Sequence, residues 1–213
     1  MKSKIRVNRK DKMIEAHLCY KPEAKGDGEE FTKGFESRMA DGLGEMMEHL
    51  NDNFNASSMS MVEIGSFCGY SSFVFANFFD CITCIDPYLP GYDDKDGSSD
   101  EEALRKAHES FNKFVLPLEE VALIELPSSE AHKFIKEDSL DFVYIDGNHR
   151  YEAIKQDIIN WLPKIKDGGF IGGHDYRWVD KGNAINNTQR ALYETIGTPE
   201  WVFGRENWLT QIY

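Results

Sequence analysis

Two short acid–histidine runs hold the residues best suited to chemistry. In Asp141-Phe-Val-Tyr-Ile-Asp-Gly-Asn-His-Arg-Tyr-Glu152, an apolar run ends on Asp146, Gly147 allows a sharp turn, and His149 opens the next segment. Gly169-Phe-Ile-Gly-Gly-His-Asp-Tyr176 ends in the same manner on His174 and Asp175. If the two apolar runs are neighbouring parallel strands, Asp146 and Asp175 emerge together at one edge of the sheet. Carboxylates converging there repel each other unless something cationic lies between them. A divalent ion with oxygen ligands suits that place. Hardness favours Mg²⁺, with calcium and manganese as alternatives. Each residue alone has a plainer reading, because strand-end acids often cap helices and a single histidine is usually an ordinary surface residue. The tandem is what argues for a site.

A second constellation lies upstream. Met61-Val-Glu-Ile-Gly-Ser-Phe-Cys-Gly-Tyr-Ser-Ser72 reads as a buried strand, a glycine turn and a helix start. The next strand, Cys81-Ile-Thr-Cys-Ile-Asp86, ends on an acid 21 residues beyond Gly65. An acid so placed accepts hydrogen bonds from ribose hydroxyls. A dinucleotide fingerprint needs a glycine where Phe67 stands, so NAD and FAD are disfavoured. The turn also lacks the Gly-Lys-Ser/Thr of a phosphate-binding loop. S-adenosylmethionine (AdoMet) has the adenosine and no phosphate. Its amino-acid end needs a close backbone turn at Gly65 and a carboxylate such as Glu63 near its ammonium. Taken alone, the turn equally suits a tight strand-to-helix connection.

The elements that must position these residues alternate. Strands are expected near residues 60–64, 81–86, 121–126, 141–146 and 169–173, and helices near 69–79, 101–115, 129–137, 150–165 and 184–196. Short apolar strands between helices indicate an α/β fold with a mostly parallel sheet covered on both faces. Before them, 35–54 carries a helical pattern with Met39, Leu43, Met46, Met47 and Leu50 on one side. After them, 201–213 reads as a hairpin, which implies an antiparallel strand finishing the sheet. Between the second strand and its helix lies an insertion, 87–100. Its acid-rich part, 93–102, suits a solvated surface loop, or a lid whose Tyr88, Leu89 and Tyr92 touch substrate. Ser99-x-x-Glu102 is expected to cap the following helix.

The balance of charge narrows the partners. The chain has 213 residues and a formal net charge of −13. Such a length suits one domain burying about 70% of its unfolded surface. An acidic chain repels phosphate backbones, so nucleic acid is disfavoured as a partner. Residues 1–13 run the other way, with six bases against Asp11, and read as a solvated, partly flexible arm within 1–30. No apolar run approaches the ~20 residues a membrane helix needs, and no signal-peptide core follows the basic start. Cys19, Cys68, Cys81 and Cys84 read as reduced thiols of a cytoplasmic protein. Cys81 and Cys84, three apart on a strand, point to opposite faces and cannot chelate one ion.

From about residue 60 to 176 these motifs resemble the class I AdoMet-dependent methyltransferases. Val62 to Ser72 is similar to the first motif of the catechol and caffeoyl-CoA O-methyltransferases. Ile145 to Tyr151 and Gly172 to Tyr176 resemble the metal-dependent O-methyltransferases of macrolide sugars and the cephalosporin-hydroxylase-like group, Methyltransferase 24-like. The resemblance implies a three-layer, Rossmann-like, doubly wound α/β fold, with a mostly parallel seven-stranded sheet whose last strand is antiparallel. The methyltransferase domain would span 31–213, with 87–115 as an inserted loop and helix. Cofactor contacts would come from Glu63, Gly65, Ser66, Phe67, Gly69, Tyr70 and Ser71 in the turn. Asp86, Pro87 and Asp146 would add to them. Ser128 and Ser129 would meet adenine, although the same serines suit a helix N-cap equally.

Asp146 and Asp175 would be metal ligands, with His174 as third ligand or hydrogen-bonded behind them. His149 would be the general base, where catechol-type enzymes carry a lysine. Their second metal acid is followed by asparagine, whereas Tyr176 follows it here. Tyr176 and Trp178 are candidates to wall the acceptor pocket, or to be core. The acceptor would be a small hydroxylated molecule, and related enzymes often self-associate. Two other functions use the same scaffold: an aminopropyltransferase, which the 93–102 acids allow, and a non-catalytic AdoMet-binding module.

Overall fold

A computed structural model describes residues 33–34, 36–92, 100–177 and 186–213. The basic arm, Cys19, most of the acidic loop and Trp178 lie outside the described residues. Seven strands form one sheet in the order β3-β2-β1-β4-β5-β7-β6. They are β1 Ser60–Ile64, β2 Cys81–Ile85, β3 Val121–Ile124, β4 Leu140–Ile145, β5 Ile165–Gly173, β6 Trp201–Phe203 and β7 Asn207–Gln211. All neighbouring pairs from β3 to β5 are parallel, and β7 runs antiparallel to both β5 and β6. The expected architecture is therefore the observed one.

Period-two alternation in the strands decides which helices cover which face. Met61, Ile82, Phe142, Tyr144 and Phe170 pack on α1 (Gly44–Phe54), α2 (Tyr70–Ala76) and α3 (Glu101–Phe114). Val62, Ile85, Val143, Ile145 and Ile171 point the other way. They pack on α4 (Ser128–Ala131), α5 (Tyr151–Trp161) and α6 (Asn187–Thr195). Strands buried on both faces explain why the sequence shows continuous apolar runs rather than alternation. Cys84 is buried and Cys81 exposed, so the pair does face opposite ways.

Three details differ from the sequence reading. The expected continuous helix over 35–54 is broken by a π-helical turn, Met39–Leu43, in which Gly42 has φ 98°. A Cβ there would lie 2.4 Å from the main chain of Phe203, so this glycine lets the first helical segment close on the β6–β7 turn. The cap of α3 is Asp100 rather than Ser99, its side chain accepting a hydrogen bond from the Ala103 N–H at 2.9 Å. β5 begins at Ile165, four residues before the expected start, and pairs with β4 through a register shift at Leu140/Phe142.

Glu63, in β1, is fully buried, and no ion pair reaches it among the described residues. Its carboxylate accepts hydrogen bonds from the Ser71 hydroxyl at 2.5 Å, from the Ser72 hydroxyl and from the Cys84 thiol. It thereby ties β1 and β2 to the start of α2. Burial pushes its pKa up to about 7, against the pull of the three hydrogen bonds. A raised folded-state pKa means stability present at low pH and lost as pH rises to the folded value. Wild type is therefore expected to lose about 3 kcal/mol relative to Glu63→Gln between pH 4.5 and 7.5. Denaturant melts across that range check this, and a pH-independent difference would refute it.

Candidate active site

The strand order reverses between β1 and β4, the place where open α/β sheets bind ligands. The loops leaving their carboxyl ends meet there. A Cβ on Gly65 (φ 85°) would lie 2.1 Å from the Asp146 carbonyl, so only glycine lets the two loops touch. Around this point opens a cleft of about 550 Å³. Phe67 (φ 43°) and Asp175 (φ 60°) both hold left-handed backbone on its wall. Asn186 secures the second of these, donating from Nδ2 to the carbonyls of Asp175 (2.8 Å) and Tyr176 (3.0 Å).

One end of the cleft is acidic and imidazole-rich. Asp146 and Asp175 follow the adjacent strands β4 and β5. His149 Nε2 lies 3.0 Å from Asp175 Oδ2 and 4.0 Å from Asp146 Oδ1. His174 Nδ1 lies 2.9 Å from Asp175 Oδ1 and 3.7 Å from Asp146 Oδ1. One ligand atom each from Asp146, His149 and Asp175 falls within a 4.8 Å span. Burial alone would raise the Asp175 carboxyl, but hydrogen bonds from both imidazoles outweigh it and hold the pKa well below the carboxylate range. Burial opposes protonation of His174, yet Asp146 and Asp175 together raise its pKa. The other ring nitrogen of His174, Nε2, is buried without a hydrogen-bond partner among the described residues.

An arginine completes this end. Arg38 reaches in from the first helical segment, its Nη2 donating to Asp146 Oδ2 at 2.7 Å. The Asp146 charge raises the Arg38 pKa still further above its ordinary value, more than burial lowers it. A lone arginine on a helical stretch carries no sequence signal, and it was not among the expected site residues. Asp146 Oδ1 is the oxygen nearer both imidazoles, 4.0 Å from His149 Nε2 and 3.7 Å from His174 Nδ1. The donor set of two carboxylates and an imidazole thus fits a divalent ion beside the guanidinium.

The other end is built by β2, β3 and α5. Asp86 accepts at Oδ2 from the N–H groups of Ser66 (3.1 Å) and Phe67 (2.8 Å), and at Oδ1 from that of Tyr88 (2.9 Å). Burial raises its pKa while these bonds act against the rise. The acid after β2 therefore also holds the glycine turn in shape. Ser128 lines the cleft with its hydroxyl donating to Asp157 Oδ1. Asp157, on α5, is a second residue that the sequence reading missed.

Most of the expected residues converge. Gly65, Ser66, Phe67, Tyr70, Ser71, Asp86, Pro87, Ser128 and Asp146 line the cleft, as do His149, His174 and Asp175. Glu63, Gly69 and Ser129 do not. Glu63 lies behind the turn, and Ser129 is exposed. Gly69 backs onto α3, where a Cβ would lie 2.4 Å from Val115. Of the expected lid residues, Leu89 and Tyr92 line the cleft. Tyr88 does not; its hydroxyl donates to the Phe67 carbonyl at 2.8 Å and its ring stacks on His108. Asn148 ties this loop to the acid turn by donating to the Tyr92 carbonyl at 3.0 Å. Tyr176 is core rather than pocket wall, packed with Ala191, Leu192 and Trp208.

An open α/β sheet with a cleft at its switch point, an acid after β2 and no phosphate loop defines a nucleoside-cofactor class of enzyme fold. Residues 62–176, more than half of the chain, match the family model described as "Methyltransferase domain", and the chain belongs to that family. A protein of Sinorhizobium fredii (strain NBRC 101917 / NGR234) described as "Uncharacterized protein y4gI" is 25% identical over 129 residues. That alignment covers 59% of this chain and 14% of the relative's length. Among solved structures, a putative caffeoyl-CoA O-methyltransferase from Staphylococcus aureus superposes with TM-score 0.57 at 17% identity, covering 96% of this chain and 99% of that one. The O-methyltransferase NovP superposes with TM-score 0.55 at 16% identity, covering 85% of this chain and 80% of the other. At these identities the two structures show a shared fold. No helix among the described residues is long and apolar enough to cross a membrane.

Proposed function

We propose that the protein methylates a hydroxyl of a small molecule, using AdoMet and a divalent ion, Mg²⁺ first. The observation that carries this reading is the convergence of Asp146, His149 and Asp175 within 4.8 Å, in the same cleft as Asp86 and Ser128. The cleft thus has a nucleoside end and an acid–imidazole end. When bound, AdoMet supplies a sulfonium methyl for in-line displacement. A divalent ion would lower the pKa of the acceptor hydroxyl, as metals do for water.

The chain's own residues do the rest. The Gly65–Phe67 backbone would face the amino-acid end of the methyl donor, while the Ser71 hydroxyl is engaged by Glu63. Asp86 Oδ1 accepts one hydrogen bond and keeps acceptor capacity for a ribose hydroxyl. Asp146 and Asp175 would hold the ion, with a histidine nitrogen as third donor. Arg38 fixes the Asp146 carboxylate by one oxygen and leaves the other for the ion. A ring nitrogen of His149 would take the hydroxyl proton, and Asp175 would stabilise the imidazolium that forms. Bound AdoMet would supply the methyl carbon to that oxygen, with S-adenosylhomocysteine as the leaving group. A net charge of −13 supports a small acceptor over a nucleic acid.

One observation favours a second reading of the metal's part. The Arg38 guanidinium already supplies a cation at Asp146, so the pair of acids has a partner without an ion. Calorimetry of AdoMet and S-adenosylhomocysteine, with and without Mg²⁺, separates the readings. Radiolabelled methyl transfer to a panel of hydroxylated small molecules, with and without chelator, completes the test. Binding of both ligands and chelator-sensitive transfer are expected. Transfer indifferent to chelator would assign the cation to Arg38, and failure to bind either ligand would overturn the AdoMet reading.

A further inference from the structure

Behind the acid–imidazole end lies a buried polar chain that no reaction step uses. Asn207, the first residue of β7, is fully buried, and so is Tyr144 on β4. Asn207 Nδ2 donates to the Asp41 carbonyl at 3.0 Å, and its Oδ1 accepts from the Tyr144 hydroxyl at 2.7 Å. A backbone carbonyl can only accept, so the amide must turn Nδ2 to Asp41 and Oδ1 to Tyr144. Burial, helped by the Asp146 charge, holds the Tyr144 phenol well above its ordinary pKa, so it stays a donor. The amide therefore has one orientation, and any arrangement that breaks either bond strands a buried polar group.

What the amide grips is the break in the first helical segment. Asp41 lies within the π-helical turn Met39–Leu43, and Arg38 immediately precedes that turn. Single π-helical turns often mark functional sites. The β6–β7 turn closes on the same carbonyl: a Cβ on Gly204 (φ 58°) would lie 2.3 Å from the Asp41 oxygen. At the other end of the chain, Tyr144 stands two residues before Asp146. β5 separates β4 from β7, and it carries Gly172 opposite Tyr144. Asn207 thus links the main chain beside Arg38 to the strand that leads to Asp146. Those two residues meet at 2.7 Å in the cleft.

We propose that Asn207 is a positioning residue of the acceptor end, fixing the helical break so that Arg38 meets one oxygen of Asp146. It does not line the cleft and acts through Asp41 and Tyr144. Its effect on turnover rests on the function proposed above. Its effect on the Arg38–Asp146 pair does not.

The test is a double-mutant cycle of Arg38→Met and Asp146→Ala on the full chain, read by denaturant melts. With Asn207 in place, the pair is expected to be coupled by about 10- to 100-fold in the folding equilibrium. In Asn207→Leu, which fills similar volume without either bond, the coupling should fall below about 3-fold. Turnover should fall by about 10- to 100-fold, the scale of a small misplacement, while S-adenosylhomocysteine affinity stays within about twofold. Lower stability with unchanged coupling would make Asn207 merely structural and overturn the proposal. Wild-type turnover in Asn207→Leu, or no coupling with Asn207 in place, would overturn it too. If wild type transfers no methyl group, the proposed function fails, and the cycle alone decides the positioning role. Tyr144→Phe guards against an Asn207→Leu chain that does not fold, because it keeps the ring and removes only the anchoring hydroxyl. A coupling lowered about 3-fold or more in Tyr144→Phe supports the role, and an unchanged one refutes it.

Discussion

Asp146→Ala is expected to reduce methyl transfer by about 10³-fold or more, the scale of losing the main electrostatic element of a site. The change removes one of the two carboxylates that face each other across the ends of β4 and β5. It also deprives Arg38 of the acceptor it meets at 2.7 Å. The Arg38 side chain is 25% exposed, so water recovers part of that loss, and roughly 1–3 kcal/mol of stability should disappear with it. Affinity for S-adenosylhomocysteine measured without metal should change much less than turnover, because the Asp86–Ser128 end of the cleft is untouched. The double variant Arg38→Met/Asp146→Ala tells the two losses apart. It should regain stability by removing the stranded cation, yet remain inactive. Single-turnover transfer, calorimetry and denaturant melts on the three proteins decide this. Wild-type turnover in Asp146→Ala would remove Asp146 from the reaction altogether.

His149→Ala is expected to lower turnover by about 10²- to 10⁴-fold, the usual range for a general base. Cofactor affinity should stay within about twofold, since His149 is not among the expected cofactor contacts. The structure sharpens what this variant must report. His149 Nε2 sits 3.0 Å from Asp175 and belongs to the group that could hold an ion. A base and a ligand differ in their readouts. Loss of a base leaves Mg²⁺ affinity intact and removes the acidic limb of the rate profile. Loss of a ligand weakens Mg²⁺ binding, and turnover returns at high metal. His174 offers the comparison, since its Nδ1 approaches both acids and its buried Nε2 has no hydrogen-bond partner among the described residues. If His174→Ala weakens Mg²⁺ binding and His149→Ala does not, His174 is the third ligand and His149 the base. Turnover surviving in His149→Ala would make that histidine structural.

Much of the fold was legible because the signals are local. Phe142 to Ile145 is apolar at every position since β4 is buried on both faces, and that run names a central parallel strand. Gly65 and Asp86 were readable because a strand-to-helix turn needs left-handed backbone and the following strand ends nearby. The helix over 35–54 was only partly readable. Gly42 breaks it for a contact with Phe203, some 160 residues away, which no local pattern records. Tyr88, one of the three lid candidates, turns inward for the same reason: His108 on α3 and the Phe67 carbonyl hold it.

By itself, the sequence determined the α/β class, the switch-point turn and the two halves of the acid–histidine tandem, because each is carried by a short run of adjacent residues. Tertiary structure alone decided who meets whom in the cleft. It placed Glu63 off the cleft lining, in a cluster with Ser71, Ser72 and Cys84. It brought Arg38 to Asp146 across 108 positions of chain, and Asp157 to Ser128 across 29. The physical reason is range: propensity and periodicity act over one turn or one strand. The burial of a charge depends on everything that packs around it, and only the folded chain supplies that.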